Sequence, residues 1–202
     1  MSAVTDAQLT NLIATDPYIQ KCKSNKKKDV CSLSSLVDPA VITLSQSDCI
    51  KLGTAIEKQL RRFGTSLRQG LTDIKPANRP GKKERDILFL DAAAKIVYYA
   101  EIKTNINLDT EKAKATVTKS SQIQEELRVE YPGHTIKRTI VTPTFLHTDD
   151  VPPVVRAKYA SIGDDLLGLN QYLEHLGINL KFTPERQRAW ITQMAIAAFG
   201  TQ

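Results

Sequence analysis

At 202 residues, with 41% hydrophobic and 25% charged side chains, the chain has the make-up of an ordinary folded domain and not of a disordered or fibrous one. Its 28 lysines and arginines outnumber 22 aspartates and glutamates, and the net charge of +6 suits a polyanionic partner without requiring one. No apolar run approaches the roughly 20 residues of a membrane span. MSAVTDAQLT opens without the basic-then-apolar pattern of a secretory leader, so a cytoplasmic protein with no membrane contact is expected. Cys22, Cys31 and Cys49, an odd number without CxxC spacing, are expected there as reduced thiols.

In chain order, Thr5 and Gln8 have the spacing of a capping box ahead of Leu9, Leu12 and Ile13, which predicts a short helix ending near Asp16-Pro17. The basic run at 21–28 reads as a solvated loop or as a phosphate contact. Cys49, Gly53, Ile56, Leu60 and Phe63 recur at helical steps, predicting a helix over 45–63 with Glu57 beside the stripe. Residues 64–85 are rich in glycine, proline and basic side chains and read as loop, with room for one poor strand at 66–74. DILFL (86–90) and KIVYYAEIK (95–103) have strand composition and are close enough for a hairpin. A helix capped by Asp109 is expected to run to Tyr131, presenting Val117, Gln124, Leu127 and Tyr131, and to stop at Pro132-Gly133. A strand at 135–146 ends or breaks at Pro143. A helix from Asp164 or Asp165 would carry Leu166, Leu169, Leu173 and Leu176 to Gly177, and Thr183-Pro184 starts the last helix, through Trp190 and Met194 to about Phe199.

Within YYAEIK, Glu101 and Lys103 stand two apart and share a strand face, opposite Ile96, Ala100 and Ile102. A hairpin closed by a two-residue loop at Ala92-Ala93 puts Asp86 opposite Tyr99 and diagonal to Glu101, about 7–8 Å away between backbones. Two carboxylates and a lysine on one face of a strand pair suit a hard, oxygen-seeking cation such as Mg²⁺, able to polarise a phosphate and activate water. Asp91 and Asp73 are rival carboxylates, although Asp91 falls on the other face by parity. His134, His147 and His175 lack the spacing of a zinc site.

Asp86, fourteen intervening residues, then Glu101-Ile102-Lys103 resemble the PD-(D/E)XK nuclease motif, and the order of helix, hairpin, helix and strand around it resembles that superfamily's α-β-β-β-α-β core. Arg85 stands where the family's proline would be. The resemblance implies an α/β fold with a restriction-endonuclease-like core, a mixed central β-sheet flanked by helices. It would form a single nuclease domain over 1–202, with its core at about 45–146 and helical additions at 1–44 and 147–202. It further implies a Mg²⁺-dependent endonuclease of double-stranded DNA, most like a type II restriction enzyme. Asp86 and Glu101 would be catalytic metal ligands, Glu57 and the carbonyl of Ile102 additional ligands, and Lys103 the residue that orients water. Lys82, Lys83 and Arg85 are expected to track the DNA backbone. Cutting both strands of a symmetric site is simplest for a homodimer, for which the leucine stripe and the Trp190–Met194 helix are candidate contacts, if they do not simply cover the core. A repair or junction-resolving nuclease and a non-catalytic nucleic-acid-binding protein are the alternatives.

Overall fold

A computed structural model describes residues 4–21, 33–74, 85–106 and 110–200. The main elements in chain order are α1 (Asp6–Ala14), α2 (Gln46–Leu67), β1 (Leu71–Asp73), β2 (Ile87–Asp91), β3 (Ile96–Ile102), α3 (Thr110–Glu130), β4 (Thr135–Thr142), α4 (Pro153–Arg156), β5 (Leu166–Gly168), α5 (Leu169–His175) and α6 (Pro184–Phe199). The chain divides into two compact units, one of residues 1–63 with 179–202 and one of residues 64–178. No helix among the described residues is long and apolar enough to cross a membrane.

The first unit is helical. Thr5 and Gln8 form the expected capping box, with Gln8 N–H donating to Thr5 Oγ1 and Thr5 N–H to Gln8 Oε1. At the far end, Thr183 caps α6 by accepting from Arg186 N–H, with Pro184 in the first turn, where its missing N–H costs nothing. Phe63, Phe182 and Trp190 pack as a tilted aromatic cluster, and Met194, one turn beyond Trp190 in α6, is fully buried. Gln59 anchors α1 by donating to the Leu12 carbonyl and to Asp16. Cys49 is disulfide-bonded, which corrects the expectation of a reduced thiol; pairing depends on proximity in space, and a count of cysteines carries none of it. The other two cysteines lie outside the described residues.

The second unit is α/β, a five-stranded mixed sheet in the order β1-β2-β3-β4-β5 flanked by helices. β1, β2 and β3 are antiparallel neighbours, and β3, β4 and β5 are parallel ones. A parallel step needs a crossover, and α3 supplies it between β3 and β4. The near-continuous apolar runs of β2 and β3 are buried on both faces, as strands of a covered sheet must be. Leu88, Val97 and Tyr99 meet Ile123 and Leu127 of α3 on one face. On the other, Phe89 lies so close to Gly64 that an added Cβ would stand 2.3 Å from its ring, and Tyr98 meets His175 edge-on.

Three expectations change here. The hairpin turn spans Ala92–Lys95 instead of Ala92-Ala93, because Asp91 Oδ1 accepts from Ala94 N–H and Lys95 takes a left-handed conformation (φ 53°). The loop length stays even, so the faces are unchanged, but the register moves by two. Ile87 pairs with Ala100, which brings Asp86 level with Glu101 and no longer with Tyr99. Second, α3 buries Ala113, Thr116, Ser120, Ile123 and Leu127; Val117, Gln124 and Tyr131 sit at its margins, and Asp109 lies outside the described residues. Third, Leu166 belongs to a strand. The open edge of β4 has backbone groups to satisfy, and Leu166 and Leu167 pair with Ile140 and Val141 before α5 begins. All four leucines of the stripe are buried, and so is Met194.

Gly168 joins β5 to α5 where Leu169 N–H donates to the Phe145 carbonyl and Asn170 N–H to the Leu146 carbonyl. A Cβ at 168 would lie 2.6 Å from the backbone of Leu146 and His147, which cannot swing away. Gly168→Ala is therefore expected to destabilise the protein by about 1–3 kcal/mol through overpacking. Urea denaturation checks it; an unchanged midpoint would mean that the 146–147 segment yields.

Candidate functional site

Tyr99, Glu101 and Lys103 alternate along one face of β3 and its extension, the face covered by α3. Glu101 is 1% exposed, and a charge so deep needs several partners. It has them. Lys103 Nζ donates to Oε1 at 2.8 Å, Tyr99 Oη to Oε2 at 2.9 Å, and Lys119 Nζ of α3 reaches both oxygens at 2.9 Å. Both lysines remain about a quarter exposed, so their heads lie between the carboxylate and solvent. Asp86, just before β2, is fixed by Ile102 N–H, which donates to its Oδ2 at 2.7 Å. The ion pair within YYAEIK thus joins a buried carboxylate to a part-exposed lysine on a covered face, with a second carboxylate beside it.

Electrostatics separate the two acids. Burial pushes the Asp86 carboxyl up and the Glu101 charge pushes it further, against the opposing pull of Ile102 N–H and both lysines. Burial acts in the same sense on Glu101, but the hydrogen bonds and charges of Lys103 and Lys119 outweigh it and hold that carboxyl below the usual range. Tyr99 is driven well above a normal phenol by burial and then by Glu101, so it stays a proton donor to the carboxylate.

The other expected site residues fall in different places. Ile102 pairs with Val141 in the β3–β4 ladder, which sets its backbone beside both acids. Glu57 is a half-buried position of α2 in the first unit. Lys82 and Lys83 lie outside the described residues, as does the basic run beyond Lys21. Arg85 departs from the expected exposed phosphate contact. It is 7% exposed and ion-paired to Glu130 at 2.7 Å and Glu126 at 3.0 Å, so its donors are directed at α3. Asp91 does lie on the opposite face, paired to Arg68 at 2.6 Å, and Asp73 is opposite Phe89 at the β1 edge. Lys119 and Tyr99 were not anticipated. Lys119 borders the buried face of α3, next to Ser120 and one turn from Thr116 and Ile123, and would have been found only with that face correctly assigned.

Among the described residues no group of three or more His, Cys, Asp and Glu side chains converges. The available set is two carboxylates, one of them destabilised as an anion by burial and then by the other. That is the donor chemistry a hard cation relieves, and Mg²⁺ in particular keeps several waters and takes only one or two carboxylates. Comparison with protein-family models, with curated proteins and with solved structures found no match.

Because Asp86 titrates higher folded than unfolded, its ionisation opposes folding. That cost is present above the folded value and disappears as pH falls below the unfolded one. Asp86→Asn, which still accepts from Ile102 N–H, is expected to unfold at higher urea than the parent near pH ~7.5 in chelator, with the gap closing towards pH ~4. A variant less stable at the higher pH, or a gap that widens on acidification, would contradict the electrostatic assignment.

Proposed function

We propose that the protein is a Mg²⁺-dependent endonuclease of double-stranded DNA, with a core like that of the PD-(D/E)XK nucleases and a type II restriction activity. The observation that carries this is the level placement of Asp86 and Glu101 on an antiparallel strand pair, with Lys103 bonded to Glu101 from the next position on the same face. The strand directions also favour it, since three antiparallel strands followed by a helix and a parallel strand are what the α-β-β-β-α-β core requires.

In this reading Asp86 and Glu101 would hold the cation, and the Ile102 carbonyl would be available as a backbone ligand. A bound Mg²⁺ supplies a Lewis acid and an acidified water. The remaining work belongs to the chain. Ile102 N–H fixes the rotamer of Asp86, and the Tyr99 phenol fixes Glu101 without taking its charge. Lys103 orients the attacking water and offsets the charge that grows on the phosphate oxygens as one P–O bond forms and another breaks. Lys82 and Lys83 remain the candidates for backbone contact; Arg85, held by α3, is left out of that role. Two copies about a dyad would cut both strands of a palindrome.

Incubation with a mixed-sequence plasmid tests the proposal. Discrete fragments are expected with Mg²⁺ and none with chelator. Asp86→Asn and Glu101→Gln should abolish cleavage while keeping DNA affinity within about tenfold, and Lys103→Ala should slow single-turnover cleavage by about a hundredfold or more at saturation. Intact plasmid with retained binding would identify a nucleic-acid-binding protein instead, and a preference for branched DNA a repair nuclease. Sedimentation equilibrium on a palindromic duplex with Ca²⁺ in place of Mg²⁺ checks the dimer, which a single copy per duplex would exclude.

A further inference from the structure

Glu101 has no acceptor capacity to spare. A carboxylate offers about four lone-pair sites, and Lys103, Tyr99 and the two contacts of Lys119 Nζ occupy them. Any cation that bonds Glu101 must displace one of these donors. Tyr99 is fully buried and has nowhere to go. Lys119 bridges both oxygens, is 24% exposed, and has a four-carbon stem that lets its head move into solvent without disturbing α3.

We propose that Lys119 is a clamp on Glu101 that yields to a divalent cation and passes to the DNA phosphate, so that metal loading is coupled to substrate. The inference rests on reading Asp86 and Glu101 as the ligands of that cation. Charge gives the coupling its direction. Asp86, Glu101, Lys103 and Lys119 together carry no net charge, so a divalent cation alone leaves two uncompensated positive charges among two ammonium groups. A phosphodiester brings negative charge to the same place and gives the released ammonium a new partner. Lys119 therefore opposes metal binding in the absence of DNA and assists catalysis in its presence. A residue that merely props Glu101 in place would support both.

The test uses the full chain and Mn²⁺ as probe. By calorimetry without DNA, Lys119→Met is expected to bind Mn²⁺ about tenfold tighter than the parent, and Lys119→Arg about as the parent does. At saturating Mn²⁺, single-turnover cleavage by Lys119→Met should be slower by about tenfold or more. Unchanged or weaker Mn²⁺ binding by Lys119→Met overturns the clamp. If that variant does not fold, the parent itself decides: Mn²⁺ should raise acetylation of Lys119 by acetic anhydride severalfold, by about the ratio of free to clamped amine, and unchanged labelling overturns the clamp. The two readings fail separately. Tighter Mn²⁺ binding by Lys119→Met with plasmid left intact sinks the nuclease and keeps the clamp, whereas cleavage by the parent with no gain in the variant does the reverse. No Mn²⁺ binding by any of the proteins overturns both.

Discussion

The carboxylate of Glu101 buries a negative charge on the sheet face under α3, and two ammonium groups and a phenol meet it there. Removing any one of them would leave a buried charge short of a partner, at a cost of several kcal/mol. That requirement constrains the elements around it. Lys103 must follow Glu101 at the period of a strand, so β3 cannot bend before its end. Lys119 must come from a helix lying over the strand, and α3, whose Ile123 and Leu127 pack on Leu88, Val97 and Tyr99, supplies it. The packing of α3 and the charge on β3 are two sides of one arrangement.

α3 is tied to the site a second time. Arg85 immediately precedes Asp86 and is ion-paired to Glu126 and Glu130, about two and three turns along the helix from Lys119. One helix thus fixes the approach to the first acid through an arginine and the second acid through a lysine. Arg85 therefore fixes the entry to β2 by charge, through a side chain held at both of its terminal nitrogens.

Features governed by local periodicity were legible in the sequence. The two central strands, the common face of Glu101 and Lys103, the cap at Thr183 and the terminating Gly177, with φ of 70°, follow from spacing and residue type. Features that depend on distant partners were not. The hairpin register turns on one side chain, Asp91, capturing Ala94 N–H, which no alternation of apolar residues encodes. Leu166 satisfies a helical stripe equally well, and only the open edge of β4 draws it into a strand. Lys119 was hidden because hydroxyl residues line the buried face of α3 and escape a count of apolar positions. The grouping of Asp86, Glu101 and Lys103 on one face was legible, whereas Lys119, the second cation on Glu101, comes from a separate helix.

β1 and β5, the outermost strands of the sheet, have three residues each. A three-residue border offers few free amides and carbonyls to an incoming chain, so brevity protects the sheet from lateral growth. The same brevity limits how two copies could associate. A ladder shared across a two-fold axis would have only those few pairs to build on, so a symmetric assembly has to be held by side chains, and its strength should respond to surface substitutions and to salt instead of to backbone pairing.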